Sequence, residues 1–317
     1  MKILIYGTGG VGGYFGARLA QSGNELTFIA RGAHLKAMQQ EGLKLMSPKG
    51  NYTVSSATYL EKITGIADFD LIIIAVKTWQ LKEVARDILP LLSDHTLVLP
   101  LLNGVTNCDV LLDILPPKHV IGGLCKIVSK ITKPGEITHL SYEPTLIFGA
   151  LNNTKTDSIL RLEKVLNQAP FHSVLATNIQ TQIWTKFVFI CTISAIGALT
   201  RSSIGAMIGQ EEVYKMMKDT ATEILRISKA KGIILKEDIL QKQFQIIKQQ
   251  PYDTTSSLQR DIMAGKPSEL DSQNGVVVAF GKELGIPTPV NSFIYYSLLL
   301  QEENARKGSK HSHLFYK

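Results

Sequence analysis

The stretch Lys2-Ile3-Leu4-Ile5-Tyr6-Gly7-Thr8-Gly9-Gly10-Val11-Gly12 decides the fold. Five strand-forming residues run into a glycine turn, and an amphipathic helical pattern follows over residues 11–21. Gly7 suits the tight turn, Gly9 lets the backbone approach a pyrophosphate, and Gly12 lets the helix settle close to the strand. The helix entry, with Thr8, Gly10 and Val11, then faces the phosphates. A second strand is expected over residues 25–30 after the stop signal at Gly23, and Arg31 closes it. At that place an Asp or Glu would accept from the ribose 2′-hydroxyl of NAD, whereas an Arg accommodates a 2′-phosphate. The guanidinium is always charged and grips phosphate through two bonds, so the expected cofactor is NADPH. A solvated arginine after a strand is the alternative.

Working outward, 317 residues are enough for two domains, each with its own core. With 44% apolar and 19% charged residues the composition is that of an ordinary globular protein. The net charge of +7 is spread evenly over the two halves. A diffuse positive balance fits anionic small molecules and argues against a nucleic-acid partner. Cys108, Cys125 and Cys191 are odd in number and lack ligand spacing, so neither a disulfide framework nor a metal site is expected. No uninterrupted apolar run reaches membrane-spanning length and no secretory leader pattern opens the chain, so the expected location is cytoplasmic, away from membranes.

The first half alternates apolar runs with helical stretches, as a parallel sheet covered on both faces requires. Residues 69–76 and 96–102 are two more buried strands, and each ends in polar residues: Lys77 after the former, Asn103-Gly104 after the latter. Those ends belong to the carboxyl edge, where open α/β sheets bind ligands. Residues 119–130, 136–141 and 145–149 are expected to add antiparallel strands at the far edge. From about residue 178 the pattern turns helical, with segments at 179–199, 211–231, 236–249 and 270–284. The expected architecture is therefore α/β: a Rossmann-type doubly wound domain over residues 1–176, then a mostly α-helical domain over 177–317. An apolar stripe at 291–300, with Phe293, Tyr295 and Tyr296, suits either the core or a homodimer face. The basic tail 306–317, with His311 and His313, is expected to fray.

Reducing a carbonyl needs a proton donor and a substrate anchor beside the hydride source, and two segments of the second domain qualify. In Trp184-Thr185-Lys186-Phe187-Val188-Phe189 one lysine interrupts an apolar helix; desolvation favours the neutral amine, which suits a proton donor, whereas a snorkelling surface lysine is the alternative. Ser257 and Glu269 lie twelve residues apart, across a helix, a Gly265-Lys266-Pro267 break and a new helix start, so both can face one pocket. An acid favoured by the helix dipole is the plainer account of Glu269.

These residues, taken in order, resemble the ketopantoate reductase (2-dehydropantoate 2-reductase) family over the whole length. The matching pieces are Gly7, Gly9 and Gly12, Arg31, Val76-Lys77-Thr78-Trp79-Gln80, Leu102-Asn103-Gly104-Val105, Trp184-Thr185-Lys186, Ser256-Ser257-Leu258-Gln259-Arg260-Asp261, and Glu269. The resemblance implies NADPH-dependent reduction of 2-dehydropantoate to pantoate. It makes Lys186 the general acid, Glu269 the holder of the substrate hydroxyl and Ser257 a contact to the carboxylate region. Asn103 would sit beside the nicotinamide and orient the lysine, and Lys77 and Gln80 would lie near the cofactor.

The pattern breaks at Ile190 and Ser194, four and eight residues after the lysine, where the family usually carries Asn, and at Thr254, where Asn is common. An isoleucine side chain neither donates nor accepts. Either Ser194, Thr192 or Ser257 takes over that bond, or the substrate is a different short 2-oxo acid with a more apolar tail. A non-catalytic NADP-binding sensor is the reading from another class, and it leaves Lys186 and Glu269 without a purpose.

Overall fold

The computed structural model describes residues 1–63 and 68–312, with side chains through residue 308. The chain forms two compact units, Met1–Leu102 with Thr106–Gln182, and Asn103–Val105 with Ile183–Lys317.

Ten strands lie among the described residues of the first unit: β1 (Lys2–Tyr6), β2 (Glu25–Ile29), β3 (Leu43–Met46), β4 (Tyr52–Val54), β5 (Thr58–Leu60), β6 (Leu71–Ile74), β7 (Leu97–Pro100), β8 (Ile121–Lys133), β9 (Glu136–Ala150) and β10 (His172–Leu175). Five of them make a parallel sheet in the order β5-β2-β1-β6-β7, with Tyr6 in register with both Ile29 and Ile74. The chain thus enters at the centre, winds out to one edge, and returns to the other side of β1. The order reverses between β1 and β6, which is where doubly wound sheets open a ligand crevice.

Side-chain alternation covers both faces. Ile3, Ile5, Leu71 and Ile73 join Tyr14, Phe15 and Leu19 of the helix Gly10–Gln21 in one apolar cluster, while Leu4, Tyr6, Ile72 and Ile74 join Leu81, Val84 and Ile88 of the helix Leu81–Ile88 in another. Successive strand residues point to opposite faces, so a strand buried on both sides must be apolar throughout. The β6 sequence Leu-Ile-Ile-Ile meets that demand.

The strands expected at the far edge of this sheet form a second sheet instead. Strands β8 and β9 pair antiparallel as one long hairpin, and β9 continues through β3 to β4 on one side and β10 on the other. The helix Gly10–Gln21 packs against both sheets. A Cβ on Gly16 would come within 2.4 Å of the Phe28 ring on β2, and one on Gly13 within 2.6 Å of Ile137 on β9. A helix that meets a sheet on either side needs small residues on both faces, and the turn-proximal glycines serve this packing as well.

Helices make up the second unit: most of Ile179–Thr200, then Ile204–Gly209, Glu211–Ala230, Ile239–Lys248, Ser257–Met263, Val276–Leu284 and Pro289–Ser312, with a π-helical turn at Asp271–Gly275. Ile179–Thr200 is the one helix among the described residues that is long and apolar enough to cross a membrane, and 67% of its most apolar window is buried inside the fold. A helix apolar all round is what a core position requires; Phe187, Val188, Cys191 and Ile196 fill the centre of this unit.

The 291–300 stripe divides: Ile294 and Leu298 enter the core, while Phe293, Tyr296 and Leu300 are exposed. The tail differs from expectation too. Its first part, through Ser312, continues the last helix, because Arg306 is tied to Glu302 and Asp271; residues 313–317, including His313, lie outside the described residues.

Candidate active site

Gly7 leaves β1 with φ +101, and a Cβ there would meet Val76 Cγ1 at 2.7 Å and the Ala75 carbonyl oxygen at 2.8 Å. The turn therefore lies against the end of β6, at the reversal of strand order. A Cβ on Gly12 would fall 2.2 Å from the Gly7 carbonyl oxygen, so the helix can start this close to the strand only with glycine there. Gly9 behaves differently. Its φ of −84 is ordinary and no atom lies within 4 Å of the Cβ position, so neither backbone nor packing asks for glycine. What remains is open space at the helix entry, suited to a group arriving from outside.

The first intrahelical bond runs from the Gly13 N–H to the Gly9 carbonyl at 2.8 Å. The N–H groups of Gly10, Val11 and Gly12 thus precede the ladder, as an anion-binding helix start requires. Gly10 has a packing duty as well, since its Cβ would fall 2.4 Å from the Ser129 carbonyl oxygen. Thr8 is turned inward: its N–H and its hydroxyl both donate to the Ile29 carbonyl, at 3.0 and 2.9 Å, which ties the turn to β2. These features fit a dinucleotide pyrophosphate.

Arg31 is exposed at the N-cap of the helix Gly32–Glu41. Its charge reaches Tyr6 at the end of β1, whose hydroxyl donates to Asp87 at 2.6 Å. Burial raises the Tyr6 pKa, the Asp87 hydrogen bond and charge raise it further, and the Arg31 charge opposes them. The charge of Glu83 also raises this pKa. Nearby, the His34 Nδ1 accepts the N–H of Gly135 at 2.9 Å, which secures the β8–β9 turn to this helix. Burial lowers the His34 pKa below its usual 6.5, with the Thr8 backbone partly compensating.

Lys77 follows β6 at the N-cap of a short 3₁₀ turn, Thr78–Gln80. Its N–H donates to the Gln80 side-chain oxygen at 3.2 Å, and its ammonium lies 5.9 Å from the centre of the Trp79 ring. Both expected cofactor neighbours are therefore held in one capped turn at the carboxyl edge of the sheet.

In the second unit Glu269 is buried, 6% exposed, and Asn103 Nδ2 donates to its Oε2 at 3.5 Å. Asn103 follows β7 in the chain, yet Asn103–Val105 cluster with the helical unit, where Val105 packs on the apolar core. Lys186 is half-buried midway along Ile179–Thr200 and has neither hydrogen-bond nor ion-pair partner among the described residues. Ser257 is the half-buried first residue of Ser257–Met263, and its neighbour Ser256 makes the cap by accepting the Gln259 N–H at 3.1 Å. Asn103 and Glu269 are thus brought into contact. Lys186 and Ser257 stand on separate helices, bonded neither to each other nor to that pair.

At these two departures from the family pattern, Ile190 is half-buried one turn beyond Lys186, and Ser194 is fully buried with no hydrogen-bond partner for its hydroxyl among the described residues. The Thr192 hydroxyl is engaged, donating to the Val188 carbonyl at 2.7 Å. One residue absent from the expected set stands out. Gln273, one turn after Glu269, is 0% exposed, and neither atom of its amide has a partner among the described residues. Native folds rarely leave a buried amide unpaired. The signal was in the sequence: Leu270, Gln273, Val277 and Gly281 share an inward helical face, and only Gln273 among them is polar.

Two family models match the chain, "Ketopantoate reductase PanE/ApbA" over residues 3–153 and "Ketopantoate reductase PanE/ApbA C terminal" over 178–302. An uncharacterized oxidoreductase of Bacillus subtilis, YkpB, is 30% identical over 95% of this chain and 99% of its own. A 2-dehydropantoate 2-reductase of Pyrococcus abyssi is 27% identical over 98% of this chain and all of its own. The crystal structure of a PanE/ApbA family ketopantoate reductase from Ralstonia eutropha superposes with a TM-score of 0.88 at 28% identity, covering 96% of this chain and 100% of that one. The fold is shared by D-mandelate dehydrogenase in its ternary structure with NADH and anilino(oxo)acetate, TM-score 0.87, at 22% identity over 96% of this chain and 100% of that one. A strand-and-glycine start, a helical unit bearing a buried acid, and two family models in the same order lead to one assignment: the chain is an oxidoreductase of the ketopantoate reductase family.

Proposed function

We propose that the protein reduces 2-dehydropantoate to pantoate with NADPH, in the cytoplasm, as a step toward pantothenate and coenzyme A. The observation that carries this reading is the contact of the half-buried Asn103 amide with the buried Glu269 acid, in the unit that also holds Lys186, whose ammonium has no partner among the described residues. When bound, NADPH supplies the hydride. Gly9 leaves room for the pyrophosphate, the N–H groups of Gly10, Val11 and Gly12 receive it, and Arg31 pairs with the 2′-phosphate. Lys77 and Gln80 border the same cofactor. Lys186 gives a proton from Nζ to the carbonyl oxygen of the substrate as the carbonyl carbon is reduced. Glu269 accepts from the substrate hydroxyl, Ser257 binds the carboxylate region, and Asn103 holds Glu269 in place.

The test is the loss of NADPH absorbance when purified protein meets 2-dehydropantoate. Lys186→Ala is expected to lower turnover about 10²-fold or more, the usual scale for a general acid. Equal rates for the two proteins reject the assignment.

A second reading keeps the chemistry and changes the substrate to another short 2-oxo acid with a more apolar tail. It is favoured by Ile190, which offers no hydrogen bond where the family pattern has an amide, and by the unpaired Ser194 hydroxyl and Gln273 amide. A panel of 2-oxo acids separates the two, because a wide margin in kcat/KM for 2-dehydropantoate removes this alternative.

A further inference from the structure

Glu269 does not ride on a regular helix. The helix Ser257–Met263 is followed by Gly265 at φ +64, and the π-helical turn starts only at Asp271. A side chain on an irregular segment is aimed only as well as its backbone is held.

That backbone is held from a distance of more than thirty residues. Ser268, fully buried, donates its N–H to both oxygens of Glu302, at 3.1 and 3.0 Å, and its hydroxyl to Glu302 Oε2 at 2.5 Å. Its carbonyl accepts from Arg306 Nη2 at 3.3 Å. On the far side of Glu269, the Leu270 N–H donates to the Ser268 hydroxyl oxygen at 3.2 Å. The Glu302 side chain is 1% exposed and is matched by Arg306 Nε at 2.7 Å from Oε1, while Arg306 Nη2 reaches Asp271 Oδ2 at 3.2 Å. Every polar group of Ser268 is thereby engaged by two charged residues of the Pro289–Ser312 helix. A buried carboxylate gives up its hydration and persists only where bonds replace it. A serine at a helix entry has no need of such a partner, since water or its own cap satisfies it.

We propose that Glu302 and Arg306 are positioning residues for Glu269: they fix the segment on either side of it and so set where its carboxylate meets the substrate. The inference rests on the function proposed above.

The experiment compares full-length wild type with Glu302→Gln, which keeps the shape but cannot accept from Ser268 with its NH₂ group, and with Arg306→Met, which removes the counter-charge at a partly exposed site. Three quantities are measured: kcat and KM for the 2-oxo acid the wild type prefers, NADPH affinity and stoichiometry, and hydrogen exchange of the 268–270 amides. The expected result is a fall of about tenfold or more in kcat/KM for the 2-oxo acid, since small misplacement of a substrate-holding group is costly. NADPH stoichiometry and affinity stay within twofold, Arg306→Lys recovers part of the loss, and the 268–270 amides exchange about tenfold faster. A purely structural role would instead reduce the NADPH-binding fraction and kcat together, with KM unchanged. That pattern, or variants with wild-type kcat and KM, overturns the proposal. Should Glu302→Gln fail to fold, Arg306→Met carries the same comparison. If wild type reduces no 2-oxo acid, the functional reading has failed on its own, and unchanged exchange at 268–270 then disproves the positioning claim separately.

Discussion

Between Gly7 and Gly12 the backbone is shaped by what the residues lack, whereas between Gly265 and Asp271 it is shaped by what distant residues add. In the first stretch the missing Cβ at Gly7 leaves room for the Ala75 carbonyl and that at Gly12 for the Gly7 carbonyl, each under 3 Å from where the Cβ would stand, and the turn follows from steric room. In the second, a serine flanking the acid is gripped by a carboxylate and a guanidinium from the last helix. The nucleotide-facing turn asks of its own residues chiefly that they carry no Cβ where the chain comes close. The acid-bearing turn is a property of the whole helical unit.

The contrast can be broken most severely at Gly12. Gly12→Ala forces a methyl against a backbone oxygen that cannot step aside, and we expect a stability loss of about 1–3 kcal/mol or more in urea unfolding. A wild-type midpoint would show that the helix start is less rigidly placed than its sterics demand. Next in size, Arg31→Ala is expected to cut the preference for NADPH over NADH by about tenfold, roughly the 1.4 kcal/mol of one exposed charge-assisted contact. An unchanged ratio would remove Arg31 from the phosphate site.

A smaller effect concerns His34. Because burial lowers its folded pKa, the unfolded chain binds more protons below pH 6.5, so stability is complete above that value and declines as pH falls toward the folded pKa. Protonation of Nδ1 also ends its role as acceptor from Gly135. Urea midpoints at pH 5 and 7.5 should differ more for wild type than for His34→Gln; parallel shifts would rule His34 out. The smallest change in stability is expected at Gly9, where Gly9→Ala has room and an ordinary φ. Its unfolding free energy should stay within about 0.5 kcal/mol of wild type while the KM for NADPH rises. A large stability loss would remove the argument that a ligand, rather than packing, accounts for this glycine.

The same contrast explains what could be read without a structure. Strand β1, its glycine turn and the buried strand β6 were legible because their determinants are contiguous, and the long helices were legible because an apolar face repeats within each. The second sheet was not, since β3 and β9 pair Lys44 with Glu136 across ninety residues, and nothing local in either strand names the other. Lys186 and Glu269 could be singled out by residue type, but only family resemblance attached chemistry to them. Gln273 was passed over although it shares a face with Leu270, Val277 and Gly281, because one amide on such a face is readily read as solvated until its burial is known. The clamp on Ser268 escaped for a simpler reason: Glu302 and Arg306 sit in a charged stretch that looks solvated in sequence, and only packing shows that one carboxylate faces inward.

The three residues Asn103–Val105 carry a practical consequence for dissection. Any fragment cut at the chain's second-half boundary, from Ile183 onward, leaves behind the amide that touches Glu269 and the valine that lines the same apolar interior. A piece that starts at Ile183 thus lacks one partner of the Asn103–Glu269 contact. Splitting or grafting experiments must therefore transplant a discontinuous segment or supply both halves together.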